Sequence, residues 1–319
     1  MALNNLRIIY QNLADSATLT APTNTPVGTP VGNLQKDAKG SVWRTPTTTA
    51  DSTNNSNPTA GYSIDALIQV DLGSTQSIHS VVLPFTNLNS AFATIQVIGY
   101  SVAPTNIALS VSGQATITGG TQVTNFSQTS TCCPWNTLGL STGSPNTYAY
   151  GGGTYARIWL SSTLQALSAR YLVIKITDYY SSAAAANGKY IEASRLIIGR
   201  YWTPVYNTGY GMTATIKDLS AHDRTESGDL VTQRGPRFNS LSFDLAYLSP
   251  TDRIQMTKLL LGNGISKPLF VSLFPDNGST TNDYEMERAH QIYGKLMQTP
   301  GISYHTLDMY SSQIELEEV

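Results

Sequence analysis

Charge is the scarcest property of this 319-residue chain. Charged residues make up 13% of it, about half of the roughly 25% usual in globular proteins. The formal net charge is −2. That leaves no field to draw nucleic acid or an acidic membrane to the surface, so nucleic acid is excluded as a partner. Cysteine is nearly as scarce. The two present, Cys132 and Cys133, are neighbours. A disulfide between neighbours closes a strained ring, and two ligands do not make a zinc site. The pair therefore reads as reduced thiols in a protein assembled in a reducing cytosol. No apolar run is long enough to cross a bilayer. The opening MALNNLRIIYQNL is broken by Asn4, Asn5, Arg7, Gln11 and Asn12. It reads as a β-strand rather than a secretory signal.

Catalytic and cofactor motifs are missing too. His79, His222, His290 and His305 are scattered, with no metal-ligand spacing among them. No phosphate-binding loop or dinucleotide fingerprint occurs, so no cofactor is expected. GLSTG at 139–143 has the letters of a nucleophile elbow. Such an elbow needs a strand before Ser141 and a helix after it. Here Pro134 precedes and SPNTYAYGGG follows, so the segment reads as a loop. The chain is read as a non-enzyme.

Ser, Thr, Asn and Gly take the place of charge, a mixture suited to an all-β protein with many turns. Alternation begins after residue 64: Ile68, Val70 and Leu72; Val81, Leu83 and Phe85; Ile95 and Val97. Each run ends in Gly, Asn or Ser, the rhythm of a β-sandwich. A long polar insertion occupies about 103–154. ARIWLSS, RYLVIKITD and KYIEASRLIIG follow it. In RYLVIKITD, Leu172, Ile174 and Ile176 face one way and Tyr171, Lys175 and Thr177 the other. The last two runs read as a hairpin whose loop starts at Tyr179 and Tyr180.

The texture changes past 200. HDRTESGDLVTQRGPR is the most charged stretch and reads as a solvated loop or β-ribbon. FNSLSFDLAYL alternates. Ser249 and Pro250 are an N-cap and a first helical residue. They open a helix near 250–262 with Ile254, Lys258 and Leu261 on one side, ended by Gly262 or Gly264. KPLFVSLFP reads as a buried strand, and YGKLM and SQIELEEV as two more. Two domains are expected: a sandwich over 1–200 and a second β-rich domain over 201–319 with that one helix.

Eighteen tyrosines are many, and Tyr148, Tyr150, Tyr155, Tyr179 and Tyr180 sit in loop-like contexts. A flat apolar face with a polar tip suits sugar rings and protein partners alike. Trp135 belongs with them. The competing reading for each is packing over a loop base.

SVWRT, GYSIDALIQVDLG, IHSVVLPFTNL, RYLVIKITD and YIEASRLIIG follow one another in order. Together they resemble the discoidin-like, coagulation-factor type C carbohydrate-binding family over roughly 30–200. The resemblance implies an all-β, discoidin-like jelly-roll sandwich with ligand loops at one end. It implies a Trp43 packed beneath the sandwich and an Arg44 bonded to a neighbouring loop or carboxylate. The terminal disulfide common in animal members is missing, and the insertion is longer than the family pattern. Trp135, Tyr150, Tyr179 and Tyr180 are the candidate ligand residues at the loop end.

The stretch from LSFDLAYL through IELEEV is similar to the C-terminal region of tailed-bacteriophage virion proteins, over roughly 205–319. This resemblance implies a structural tail-tip or baseplate protein, made in the host bacterial cytoplasm and located in the virion tail. Its partners would be other tail proteins, further copies of itself in a ring, and a host cell-surface glycan. Phe270 and Phe274, on apolar-edged strands of a small domain, are the candidate assembly contacts. A stand-alone carbohydrate-binding module and a capsid decoration protein remain the alternatives.

Overall fold

A computed structural model describes residues 6–22, 28–47, 53–57, 60–88, 92–109, 113–131, 147–149, 151–160, 167–275 and 286–319. The chain is all-β, with one helix of more than a single turn among the described residues, Pro250–Asn263. It divides into two compact units. The sandwich comprises Gln11–Gly143 and Gly153–Arg200. The terminal unit comprises Met1–Tyr10, Ser144–Gly152 and Tyr201–Val319. The last division falls between Arg200 and Tyr201, and the first ten residues go with the terminal unit rather than with the sandwich. The reason is backbone pairing: Arg7–Ile9 lies antiparallel to Leu269–Ser272, with Ile9 opposite Phe270.

The sandwich packs two antiparallel sheets. One has the order Thr121–Thr131, Thr94–Val102, Ser168–Tyr180, Ala60–Ser77, Thr18–Thr20, with Thr53–Asn57 also on Ala60–Ser77. The other has the order Thr154–Trp159, Ser80–Thr86, Glu192–Ala193, Trp43–Arg44, with Ile197–Gly199 also on Ser80–Thr86. The alternating residues of the sequence supply the core. Ile68, Val70, Val81, Leu83, Ile95, Val97, Leu172, Ile174 and Ile176 join one cluster with Trp43. Trp43 is 1% exposed, as the family resemblance implies.

The opposite face of Ser168–Tyr180 is covered as well. Part of the polar insertion folds into the strand pair Asn106–Leu109 and Ala115–Thr118. Its Ile107, Leu109, Ala115 and Ile117 pack on Leu67, Ile98, Tyr100 and Val173. Asp65 pins this cover. Its carboxylate accepts hydrogen bonds from Thr177 Oγ1 at 2.6 Å and the Ala115 N–H at 2.9 Å, and it lies 3.2 Å from Lys175 Nζ. A carboxylate that is almost wholly buried needs such partners for its oxygens.

RYLVIKITD and KYIEASRLIIG do not form the expected hairpin. Ser168–Tyr180 lies in one sheet, while Glu192–Ala193 and Ile197–Gly199 lie in the other. The chain arches between sheets through a single helical turn, Ala183–Ala186, where the Ser182 hydroxyl accepts from the Ala185 N–H. Four alanines suit that turn.

In the terminal unit, seven strands form an antiparallel sheet among the described residues. The order is Arg7–Ile9, Leu269–Ser272, Gln291–Leu296, Met309–Glu318, Arg237–Leu248, Thr213–Asp218, with Ser303–Thr306 also on Met309–Glu318. The helix begins where expected. Ser249 Oγ accepts from the Asp252 N–H, Pro250 fills the first turn, and Gly264 at φ 52° ends it. Ile254, Lys258 and Leu261 share the exposed side, and Asp252, Met256, Leu259 and Asn263 form the buried one. Asp252 is held there by Trp202 Nε1, the Val205 N–H and Ser249 Oγ, all donating to its carboxylate.

Candidate functional site

The register of the sandwich gathers several strand ends. Tyr62 lies opposite Tyr180, and Thr94 lies opposite both Thr177 and Thr131. Ser80–Thr86 returns in the other sheet after a two-residue link from Ser77, so Thr86, with its partners Thr154 and Ala193, falls at the same end. Both flanks of the 132–153 segment, Thr131 and Thr154, are there too.

A polar cluster with an aromatic ring stands at this end. Arg44 donates from Nε and Nη2 to Glu192 Oε2 at 3.0 and 2.6 Å. Its guanidinium lies 4.1 Å from the centre of the Tyr190 ring. Asn87 fixes the strand that carries both partners. Its Nδ2 donates to the Tyr190 carbonyl at 2.9 Å, and its Oδ1 accepts from the Glu192 N–H at 2.8 Å. Thr45 adds a second clamp, its hydroxyl accepting from the Ile191 N–H. The Glu192 side chain is 10% exposed and that of Arg44 33%. Part of the five-donor guanidinium fork therefore meets solvent beside a half-buried ring. Phe92, half exposed, sits in the next loop. Fixed donors, a carboxylate and aromatic faces together suit a polyhydroxylated ligand: rings stack on its C–H faces and the charged groups bond its hydroxyls.

The candidate residues fare unequally. Trp135 and Tyr150 lie outside the described residues, as do Ser141, Cys132 and Cys133. Tyr179 and Tyr180 reach the loop end, both half-buried. Tyr180 packs inward against the core, and its hydroxyl donates to Asp178 Oδ2 at 3.1 Å. Burial first, and then the Asp178 charge, push its phenol pKa up. It serves as a strut for the loop base, the competing reading given above. Tyr179 projects to the other face of the strand, with its N–H bonded to Asp178 Oδ1.

The assembly candidates need correction. Phe270 is 1% exposed, and its strand is paired on both sides, by Arg7–Ile9 and Gln291–Leu296. It offers neither an edge nor a surface ring. Phe274 is partly buried against the core and meets His290 edge-on at 5.0 Å. Met309–Glu318 is likewise interior, between Arg237–Leu248 and Gln291–Leu296. Among the described residues the open long edge is Thr213–Asp218.

Arg44 was expected to bond a neighbouring loop or carboxylate; Glu192, Tyr190, Asn87 and Phe92 were not foreseen. The signal for two of them was the i, i+2 spacing of Tyr190 and Glu192 at the start of YIEASRLIIG. Among the described residues no three His, Cys, Asp or Glu side chains converge to hold a metal ion, and no helix is long and apolar enough to cross a membrane.

No family model and no curated protein matches the sequence. Solved structures do overlap part of it. Chitosan-binding module 1 of a chitosanase/glucanase from Paenibacillus sp. IK-5 is 17% identical, with a TM-score of 0.31 over 60% of this chain and 99% of that one. A Streptococcus pneumoniae fucose-binding module, SpX-3, is 12% identical, with a TM-score of 0.31 over 60% and 99%. A Ruminococcus gnavus GH29 fucosidase in complex with fucose is 14% identical, with a TM-score of 0.32 over 60% of this chain and 26% of that one. Overlaps this loose leave the site to be read from this chain's own residues.

Proposed function

We propose that the chain is a structural component of a tailed-bacteriophage tail tip or baseplate. In this reading the terminal unit assembles with further copies and with other tail proteins, and the sandwich turns its loop end towards a host-surface glycan. The observation that carries the reading is a division of surfaces. Of the large apolar side chains exposed among the described residues, all but Phe92 and Val102 belong to the terminal unit. A concentration of exposed apolar side chains in one unit favours an interaction surface there. The sandwich instead buries its apolar residues and keeps an Arg–Glu–Tyr cluster at one end, fitted to hydroxyl-rich ligands. The low charge and the Thr- and Asn-rich surface agree with an extracellular particle.

Two measurements test the two halves separately. Cryo-electron microscopy of the particle should find the chain in the tail; particles without it there refute the structural role. A bacterial-glycan array should show binding by the full chain, and Arg44→Lys, which keeps the charge but loses the fork, should weaken it about tenfold or more. An array with no binding, or an unaffected Arg44→Lys, refutes glycan recognition at this end.

A further inference from the structure

One element of the terminal unit covers nothing else among the described residues. Thr213–Asp218 pairs with Arg237–Leu248 as far as Asp218 opposite Arg237. The ladder resumes in the ribbon Ala221–Arg224 and Leu230–Gln233. Between them is a tight crossing at Gly235, where a Cβ would come within 2.4 Å of the Leu219 backbone. Every residue of the ribbon is exposed. A free two-stranded ribbon is marginal by itself, yet this arm is braced. At its base Arg237 Nε donates to Asp218 Oδ2 at 2.6 Å, and the Ser220 N–H donates to Asp218 Oδ1 at 2.8 Å. At its tip Thr225, Ser227 and Asp229 bond one another, and Arg224 donates to the Gly228 carbonyl. This stiff arm exposes Leu219, Leu230 and Val231 by 61, 56 and 52%.

A second uncovered patch lies on the outer face of helix Pro250–Asn263. Ile254 and Leu261 are 52 and 84% exposed, Lys258 stands between them, and Ile265 follows the helix end. Charge distinguishes the patches. Residues 222–229 carry Asp223, Glu226 and Asp229 against Arg224, which is −3 + 1 = −2 with His222 neutral. Residues 253–267 carry Arg253, Lys258 and Lys267 and no acid, which is +3.

Each patch is thus mismatched to itself and matched to the other. We propose that the arm of one copy docks on the outer helix face of the next. The apolar side chains of Leu230 and Val231 meet Ile254 and Leu261, and the acidic tip meets Lys258 and Arg253. Such a contact is heterologous, so it grows head to tail and closes into a ring or runs on as a filament. It rests on the reading that the chain self-associates, and it names the surfaces that do so.

Sedimentation velocity on the full chain over a concentration series tests it. Wild type should grow beyond the dimer. Leu230→Asp with Val231→Asp disables the arm, and Leu261→Asp disables the helix face. Each variant alone should stay monomeric, its dissociation constant raised about tenfold or more. Mixed in equal amounts, the two should give a one-to-one dimer that grows no further, since one sound arm meets one sound helix face. Lys258→Glu with Glu226→Lys in one chain should restore what either alone weakens. All these positions are exposed, so thermal melting should be unchanged. Variants that associate like wild type, or a mixture that stays monomeric while both melt normally, overturn the arm–helix contact even if wild type is oligomeric. A wild type that is monomeric at every concentration overturns the self-association reading with it, and leaves glycan binding to its own test.

Discussion

Replacing Trp43 removes the largest side chain sealed in the sandwich. It is 1% exposed and belongs to the cluster that both sheets share. An indole of this kind buries about 200 Å². At about 25 cal/mol per Å² that contributes about 5 kcal/mol. Alanine keeps a fraction of the contact, and neighbours collapse only in part, so Trp43→Ala should cost about 3–5 kcal/mol. Trp43→Phe separates packing from polarity. The Trp43 Nε1 atom is buried without a hydrogen-bond partner. Deleting it relieves an unpaired donor, worth about 1–3 kcal/mol, which offsets part of the lost volume. The expected net cost is about 1 kcal/mol. Urea unfolding followed by hydrogen exchange suits a chain of two units. Protection in peptides from Val81–Phe85 and Leu172–Ile176 should fall at lower urea, while Leu269–Ser272 keeps its midpoint. A Trp43→Ala cost below about 1 kcal/mol would refute the buried placement. A Trp43→Phe cost as large as that of alanine would show that the indole N–H is bonded.

Asp65→Asn should destabilise the sandwich by about 3 kcal/mol, because Lys175 is left with a neutral partner beneath the 106–118 cover; hydrogen exchange of Ile107–Leu109 should rise first. Tyr180→Phe removes the bond to Asp178 and should cost about 1 kcal/mol in urea unfolding, without altering glycan binding. Asp218 is held at about 2 by hydrogen bonds from Ser220 and then Arg237, against an ordinary 3.8. Its folded pKa is depressed, so the bracing at the arm base is whole above about pH 4 and lost as pH falls through about 2. Amide exchange across residues 219–236 should show the arm loosening over that window, and an arm equally ordered at pH 2 and pH 5 would contradict it.

What could be read from the sequence was local. Period-two alternation placed Ile68, Val70, Leu172 and Ile174 on the core face, because a strand's side-chain direction depends only on its own pleat. The Ser249–Pro250 start of the helix was legible for the same reason, since a cap bonds within three residues. Partners far apart were not. Nothing in KPLFVSLFP says that Arg7–Ile9, some 260 residues earlier, closes its flank, so Phe270 looked available. The helix carries two stripes of helical spacing, Ile254–Leu261 and Met256–Leu259, and only the sheet beneath it selects the second. A hairpin and an arch between sheets begin with identical alternation, which is why the chain after Tyr180 was assigned to the wrong sheet. Arg44 was visible as half of a Trp–Arg pair, but Glu192 became its partner only through the pairing of Trp43–Arg44 with Glu192–Ala193.

One short backbone bridge bears on how such a chain arises. Ile8 and Trp202 exchange two hydrogen bonds, at 2.9 and 2.8 Å. The first departure of the polypeptide from the terminal unit, after Tyr10, and its last return, at Tyr201, are therefore adjacent, with one shorter return at Ser144–Gly152 between them. An insert whose first and last crossings lie side by side leaves the sheet that holds them closed around its own ends. The host sheet keeps its own backbone pairing whatever is strung between those two points, so the two units are free to diverge at separate rates within a single gene.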